Sequence, residues 1–397
     1  MTWIIVFSET AAAVWLITVA ITLYCLRRQW FLEPSEDPNR LSKDLPPVTI
    51  LLPARNEAGR VLSQCVASIL AQDYGRLEII AVDDRSTDST PKILDEFAEK
   101  DRRLQVIKGV DPPSGWLGKP WALHQALEHC QSDWLLATDA DMIFHPAAVS
   151  TTLSHALQER YDALTLIPRF DTPSFWERVF VPTWLWRLLL LMVVGHLNDP
   201  ARRKAKAMGG FLLLRRTALE RCGGFGAVKS ELVEDVRLAE LLKNSGDRLR
   251  IEYAPDLIST RMYSNFIDLW QSCSRNWYAL LNYSLSSAIA LIAATIAVAI
   301  VPPLLAALSC VPVLLGSAGA SRLVAAGGFV WICQVAGLVL VNSRHRIPAH
   351  YALATPLGFA LQCAILINSA VRIGTSRSVT WKDRRINRCT DGSVIVR

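Results

Sequence analysis

Apolar residues are distributed along this chain in two different ways. Near the start, Trp3 to Leu26 is one apolar run long enough to cross a bilayer, followed at once by Arg27, Arg28 and Trp30. After Tyr283 come four more runs, at about 284–301, 303–318, 323–342 and 350–372. Between these ends, from Val48 onward, short apolar stretches alternate with amphipathic ones. Val48–Leu52, Leu77–Val82, Leu104–Ile107, Trp134–Ala137 and Phe211–Leu214 read as strands; Ala58–Gln72, Ser89–Lys100, Ala122–Cys130 and Val236–Lys243 read as helices. Repeated βα units of this kind predict a mainly parallel central sheet with right-handed crossovers.

The polar residues that follow the strands give this pattern its chemistry. Open α/β sheets bind ligands outside the carboxyl ends of their strands. Here the first strand runs into Pro53-Ala54-Arg55-Asn56-Glu57, the second into Asp83-Asp84, and Trp134–Ala137 into Asp139-Ala140-Asp141. Two aspartates one residue apart at a strand end can present oxygens to one hard divalent cation, Mg²⁺ or Mn²⁺, bridging a diphosphate. Gly115–Trp121 reads as a flexible loop carrying one cation, Lys119, able to neutralise a diphosphate as a point charge. Glu234-Asp235 opens an amphipathic segment, where a helix dipole keeps a carboxylate ionised, although such a pair also serves as a plain helix start. Neither G-x-G-x-x-G nor G-x-x-x-x-G-K-[ST] occurs, which lowers dinucleotide and P-loop readings.

Composition narrows the class further. At 397 residues, 51% hydrophobic, with a mean hydropathy of +0.25, the chain is too apolar for an ordinary soluble enzyme. Its 42 Lys and Arg against 36 Asp and Glu include no basic tract with interleaved aromatics, so no nucleic-acid partner is expected. The mild positive charge suits an anionic lipid surface. Nine cysteines without a C-x-x-C pair argue against a zinc site or disulfide framework and fit a reducing compartment.

In order and approximate spacing, Pro53–Glu57, Val82–Asp88, Gly118-Lys119 with Ala122-Leu123, Asp139–Asp141, Gly209-Gly210-Phe211 and Glu234-Asp235 resemble the family 2 glycosyltransferases of GT-A fold. The resemblance covers about residues 47–285. It implies that Ala54, Arg55, Glu57, Asp83 and Asp84 hold a nucleoside, Lys119 the diphosphate, Asp139 and Asp141 the ribose and a Mg²⁺ or Mn²⁺ ion, and that Asp235 is the catalytic base of an inverting transfer. Gly210 then lets backbone approach the nucleotide sugar, and Glu234 faces the acceptor. Gln271–Trp277 only partly matches the Q-x-x-R-W element of processive members, since the spacing is wrong. Arg275 is carried over as a diphosphate contact and Trp277 as an acceptor contact, and processive polymer synthesis is disfavoured. Ser174–Arg178, Asn198-Asp199-Pro200 and Thr380-Trp381-Lys382 look most like hopanoid-associated and carotenoid-associated membrane members.

The expected organisation is therefore an N-terminal transmembrane helix (1–28), a linker (29–46), a GT-A nucleotide-diphospho-sugar transferase domain (47–255), interfacial amphipathic helices (256–283), C-terminal transmembrane helices (284–372) and a basic tail (373–397). Phe175–Leu197 is expected to lie on the inner leaflet, with its tryptophans at headgroup depth. Pro302-Pro303 is expected to turn between two spans, which puts the basic tail on the cytoplasmic side. Arg27, Arg28, Arg40 and Lys43 place the catalytic domain there too, in a multi-pass protein of a bacterial inner membrane. The expected partners are a nucleotide-diphosphate sugar, a lipid acceptor and the membrane. The alternatives are a processive polysaccharide synthase and a non-catalytic membrane scaffold that keeps a nucleotide-binding fold.

Overall fold

The structure, a computed structural model, describes residues 2–27, 31–35, 45–194, 196–314, 317–376, 378–381, 384–388 and 394–396. The chain divides into two compact units. One comprises Met1–Gln29, Thr172–Gly195 and Tyr263–Thr375; the other comprises Trp30–Asp171, His196–Met262 and Ser376–Arg397.

The second unit is α/β. Its strands are β1 (Val48–Ala54), β2 (Leu77–Asp83), β3 (Leu104–Lys108), β4 (Trp134–Thr138), β5 (Met142–Phe144), β6 (Ala163–Ile167), β7 (Arg169–Phe170), β8 (Phe211–Arg215), β9 (Leu249–Tyr253) and β10 (Ile258–Thr260). Seven of them form one sheet in the order β3-β2-β1-β4-β8-β6-β9. Every pairing is parallel except the two made by β8, which runs antiparallel to β4 and β6. Side chains of a strand alternate between faces, and both faces are covered. Ile50, Leu52, Ile79, Leu136 and Leu213 pack into one core; Leu51, Ile80, Val82, Leu135 and Leu214 pack into the other. With no solvent-facing side, these central strands are largely apolar runs with polar ends. The parallel register pairs Ala54 with Asp83 and Leu51 with Ala137, so the polar tails of β1, β2 and β4 leave the sheet together. A smaller sheet, β5-β10-β7, begins immediately after Asp141. The expected basic tail contains a third sheet of antiparallel strands, β11 (Ser378–Trp381), β12 (Arg384–Arg388) and β13 (Val394–Val396).

At the far edge of the large sheet, His155 on the helix Ala148–Gln158 meets Glu252 of β9 at 3.1 Å. The hydrogen bond to Glu252 raises the histidine's pKa above its ordinary value. A histidine held charged in the folded state adds stability below its unfolded pKa of about 6.5, and that contribution is lost as pH rises through the higher folded value. His155→Gln is therefore expected to lower the melting temperature at pH 6 more than at pH 8.5. Equal losses at both would rule the charged pair out.

The other unit is helical. Four of its helices, Thr2–Arg27, Leu285–Val311, Ala318–Arg344 and Ala349–Ile373, are long and apolar enough to cross a membrane. The helix Phe175–Val194 also belongs to this unit, where the sequence placed it within the catalytic domain. Of its three tryptophans, Trp176 and Trp184 are half-buried. Trp186 is fully buried, donates Nε1–H to Thr22 Oγ1 at 2.7 Å and packs against Gly337; Thr183 receives Gln362 Nε2–H at 2.7 Å.

The expected turn at Pro302-Pro303 is not present. Leu285–Thr295, a π-helical turn Ile296–Ile300 and Val301–Leu314 run on as one helix. Two prolines remove the N–H groups that would have met the carbonyls of Val298 and Ala299. Those carbonyls are satisfied instead from neighbouring helices, by Trp15 Nε1–H at 2.8 Å and Gln334 Nε2–H at 2.9 Å. The π-turn takes up the local misfit. With one helix here instead of two, the count that placed the tail on the cytoplasmic side no longer holds.

Candidate active site

The site is built from the strand ends outward. After β1, Arg55 donates to the carbonyls of Asp84 at 2.6 Å and Arg85 at 3.0 Å, and the Asp84 N–H donates to the Ala54 carbonyl at 2.8 Å. The guanidinium thus ties the ends of β1 and β2 together. Asp84 is buried and takes Arg85 Nη2–H at 3.1 Å; Asp83 Oδ1 accepts from the Ser86 N–H at 3.2 Å. Asn56 and Arg85 adopt left-handed backbone, φ +50° and +56°, which bends both segments away from the sheet. The Glu57 N–H donates to Thr90 Oγ1, and its carboxylate lies 3.8 Å from Arg60. Ala54, Arg55, Glu57, Asp83 and Asp84 thus form one hydrogen-bonded corner.

Beside it lies the charged centre. Lys119 stands in the first turn of the helix Gly118–Glu128, Asp139 follows β4, and Glu234 and Asp235 open the helix Glu234–Asn244. Lys119 Nζ reaches Asp139 Oδ1 at 2.6 Å and Glu234 Oε1 at 2.7 Å. Three segments far apart in sequence therefore meet on one ammonium group. Burial works to lower the Lys119 pKa, but the negative Asp139, Glu234 and Asp235 outweigh it, and the lysine stays charged well above its ordinary range.

Asp235 Oδ2 accepts the Gly209 N–H at 2.7 Å, and Oδ1 accepts the N–H of Val236 at 2.7 Å. Burial and the neighbouring Glu234 raise its pKa to about 6, against the opposing pull of Lys119. A carboxylate poised there is ionised at neutral pH yet basic enough to accept a proton. Gly209, adjacent to the expected Gly210, is the residue that touches this centre. A Cβ on Gly209 would stand 2.8 Å from Lys119 Nζ and 3.3 Å from Asp235 Oδ2. Gly210 faces elsewhere: its carbonyl accepts from Thr138 Oγ1 at 2.7 Å, and the Met142 side chain fills the space beside its Cα. The doubled glycine was the sequence signal, but which of the two meets the acids depends on the entry into β8. Because the atom in the way ends a flexible side chain, Gly209→Ala is expected to fold with an unchanged melting temperature. It should reduce turnover by about tenfold to a hundredfold through displacing Lys119 or Asp235. Full turnover in that variant would show that the contact is idle.

Asp141 is half-buried, and burial together with negative Asp139 and Glu57 pushes its pKa up to about 7. Such a site has more negative charge than its own cations balance, which fits a divalent ion. Among the described residues no three His, Cys, Asp or Glu side chains stand close enough to hold a metal unaided. Asp139 and Asp141 would supply two ligands and leave the rest to a phosphate-bearing ligand and water, as Mg²⁺ sites commonly do. Arg275 and Trp277 lie in the helical unit, at the end of the helix Phe266–Asn276. There Arg275 Nε–H meets Asn276 Oδ1 at 3.1 Å, and the Trp277 ring lies 5.5 Å from that of Phe180.

Comparison with known proteins agrees with the fold. Residues 49–223 match the family described as Glycosyl transferase family 2. Over 174 residues the chain is 36% identical to a beta-monoglucosyldiacylglycerol synthase of Synechocystis sp., covering 42% of this chain and 36% of that protein. Over 235 residues it is 28% identical to an N-acetylglucosaminyltransferase of Mesorhizobium japonicum, covering 55% and 52%. The chain thus spans about half or less of the length of these relatives. Among solved structures, the mannosyltransferase PcManGT from Pyrobaculum calidifontis, in complex with GDP-Man and Mn²⁺, superposes with a TM-score of 0.58 at 20% identity, covering 94% of this chain and 99% of that one. That likeness establishes the shared GT-A-like architecture. Residues 49–223 thus match the Glycosyl transferase family 2 model on a GT-A-like α/β fold, in a chain whose described residues include four helices apolar enough to span a membrane.

Proposed function

We propose that this protein is a membrane glycosyltransferase that moves a sugar from a nucleotide-diphosphate donor to a hydroxyl of a lipid acceptor, with inversion, at the cytoplasmic face of a bacterial inner membrane. The observation that carries this reading is the convergence of Asp139, Glu234 and Asp235 on Lys119, with Asp141 alongside. A named lipid glycosylating relative and a fold neighbour solved with GDP-Man and Mn²⁺ support the acceptor class, the donor class and the metal.

In this scheme the corner of Ala54, Arg55, Glu57, Asp83 and Asp84 holds the nucleoside. Asp139 and Asp141 would hold Mg²⁺ or Mn²⁺, which when bound would offset the charge gathering on the departing diphosphate. Lys119 exchanges a carboxylate for a phosphate oxygen and adds a second positive charge. Asp235 removes the acceptor hydroxyl's proton as its oxygen bonds to the sugar carbon and the bond from that carbon to the diphosphate breaks. The Gly209 and Val236 N–H groups hold the base in place, and Glu234 borders the acceptor side. Gly210 closes the start of β8 against Met142. Arg275 and Trp277 are proposed to serve the diphosphate and the acceptor. The hopanoid-associated and carotenoid-associated pattern favours a polyisoprenoid-derived acceptor.

The test is to incubate membranes containing the protein with a panel of labelled nucleotide sugars and Mn²⁺ or Mg²⁺, then analyse the lipid extract by mass. One sugar added per lipid, abolished by a chelator, is the expected product. Long polysaccharide instead would mean a processive synthase. No donor binding and no labelled product from any donor would defeat the reading.

A further inference from the structure

Within the helical unit, the helix Phe175–Val194 carries two cations, and the second, Arg187, lies in largely apolar surroundings. Its guanidinium donates to Thr295 Oγ1 at 2.5 Å and lies 5.2 Å from the centre of the Phe359 ring. A guanidinium has five N–H donors in a rigid fork, and a single hydroxyl leaves most of them unused. That hydroxyl is itself committed, donating to the Leu291 carbonyl at 2.6 Å.

No carboxylate of the unit is available to pair with it. The unit holds three, Glu9, Glu177 and Asp268, against nine arginines. Glu9 pairs with Arg322 at 2.6 Å. Glu177 is 1% exposed and accepts the Ser174 N–H at 2.9 Å; Asp268 accepts the N–H and O–H of Ser264, each at 3.0 Å, and the hydroxyl of Ser272. A charge among apolar helices without a counter-charge is costly and marks a functional position by default. The surroundings also hold it in one orientation. Phe359 packs at 5.8 Å against Trp15, which in turn lies 5.1 Å from the ring of Trp186, one residue before Arg187.

Arg187 is half-buried, so part of its side chain reaches the surface of the protein. Leu191, one turn further along its own helix, and Leu291, one turn before Thr295, are both exposed apolar side chains. A ligand for this place needs a compact anion with lone pairs matching a guanidinium fork, and apolar bulk to lie against leucines. We propose that Arg187 binds the phosphate of an anionic membrane phospholipid, with Thr295 and Phe359 orienting the guanidinium and the acyl chains lying over Leu191 and Leu291. This site is separate from the transferase chemistry and does not depend on it.

The test uses the full chain reconstituted in phosphatidylcholine nanodiscs with increasing phosphatidylglycerol, reading the melting temperature and, by native mass spectrometry, retained lipid. Wild type is expected to retain phosphatidylglycerol over phosphatidylcholine, and its melting temperature should rise with the phosphatidylglycerol fraction. Inorganic phosphate at matched concentration should give no such rise. Arg187→Gln should lose both effects. Arg187→Lys keeps the charge but loses the fork, and should need at least fivefold more phosphatidylglycerol for the same shift, which keeps the test decisive if the Gln variant does not fold. Equal retention of phosphatidylglycerol by wild type and Arg187→Lys would overturn the proposal. So would a wild type indifferent to phosphatidylglycerol, or an equal response to inorganic phosphate, which would assign a free-phosphate site instead.

Discussion

Asp235→Asn is expected to lower sugar transfer by about 10²–10⁴-fold, the range a positioned general base contributes, while donor affinity in the presence of Mn²⁺ stays within about threefold. The basis is the division of labour in the charged centre. Asp139 and Asp141 follow β4, where the proposal puts the donor's metal, whereas Asp235 is held by the Gly209 and Val236 N–H groups at the start of the helix Glu234–Asn244. Those two N–H groups use one lone pair on each Asp235 oxygen and leave the others for an acceptor hydroxyl. An asparagine retains one acceptor oxygen and sets its amide against the second N–H group. Asp235→Ala avoids that conflict and should lose the same activity, which separates the chemistry from a packing defect. The wild-type pH profile checks the assignment independently. Because burial and Glu234 raise the Asp235 pKa to about 6, the proton-accepting form is lost as pH falls through that value. The rate should therefore decline below about pH 6, where an ordinary aspartate would still be ionised. Calorimetric titration of donor against each variant, alongside label incorporated into lipid, measures both quantities. If donor binding disappeared together with turnover, Asp235 would belong to the donor site and the base would be another group.

The parts of this fold legible in the sequence are those whose local pattern repeats the global arrangement. Strands β1, β2 and β4 are buried on both faces, so each is a largely apolar run, broken only by Thr49 and Glu78 near the start of β1 and β2, and each ends where the sheet ends, in polar residues. Within the large sheet, what escaped the pattern was β6 and β9. Leu249–Tyr253 alternates polar and apolar residues, as an edge strand does, but over only five residues. The antiparallel direction of β8 was equally hidden, since Phe211–Arg215 is apolar whichever way it runs. Pro302-Pro303 illustrates the same limit in the helical unit. The sequence displays two missing donors, and a turn is the local remedy. The remedy adopted is non-local: an indole 283 positions away in sequence and a glutamine on another helix take the vacated carbonyls. In the candidate site, order and spacing identified the acids, but not that the first glycine of the pair would donate to Asp235 while the second turned toward Met142.

Lys119→Met should weaken donor binding by about 30- to 150-fold, the equivalent of roughly 2–3 kcal/mol for losing a charge-assisted contact to phosphate in a partly screened site. The side chain retains 22% exposure, which keeps the expected loss below that of a fully buried pair. A second effect distinguishes this lysine from an ordinary phosphate ligand. It neutralises Asp139 and Glu234 at once and is felt by Asp235. Removing it leaves three acids facing one another, and since Lys119 pulls the Asp235 pKa down, its loss must move that value up. The acid limb of the rate profile in Lys119→Met should therefore shift from about pH 6 toward higher pH, in the direction opposite to that of added solvent exposure, which favours the ionised carboxylate and lowers its pKa. Adding Glu234→Gln to Lys119→Met removes one of the repelling acids, so the double variant should bring the limb back toward its original position. The two changes should then couple, because both act through Asp235. A limb that stays at about pH 6 in Lys119→Met, whatever happens to donor affinity, would mean that the ammonium group serves the phosphate alone and that the proton affinity of Asp235 is set by burial.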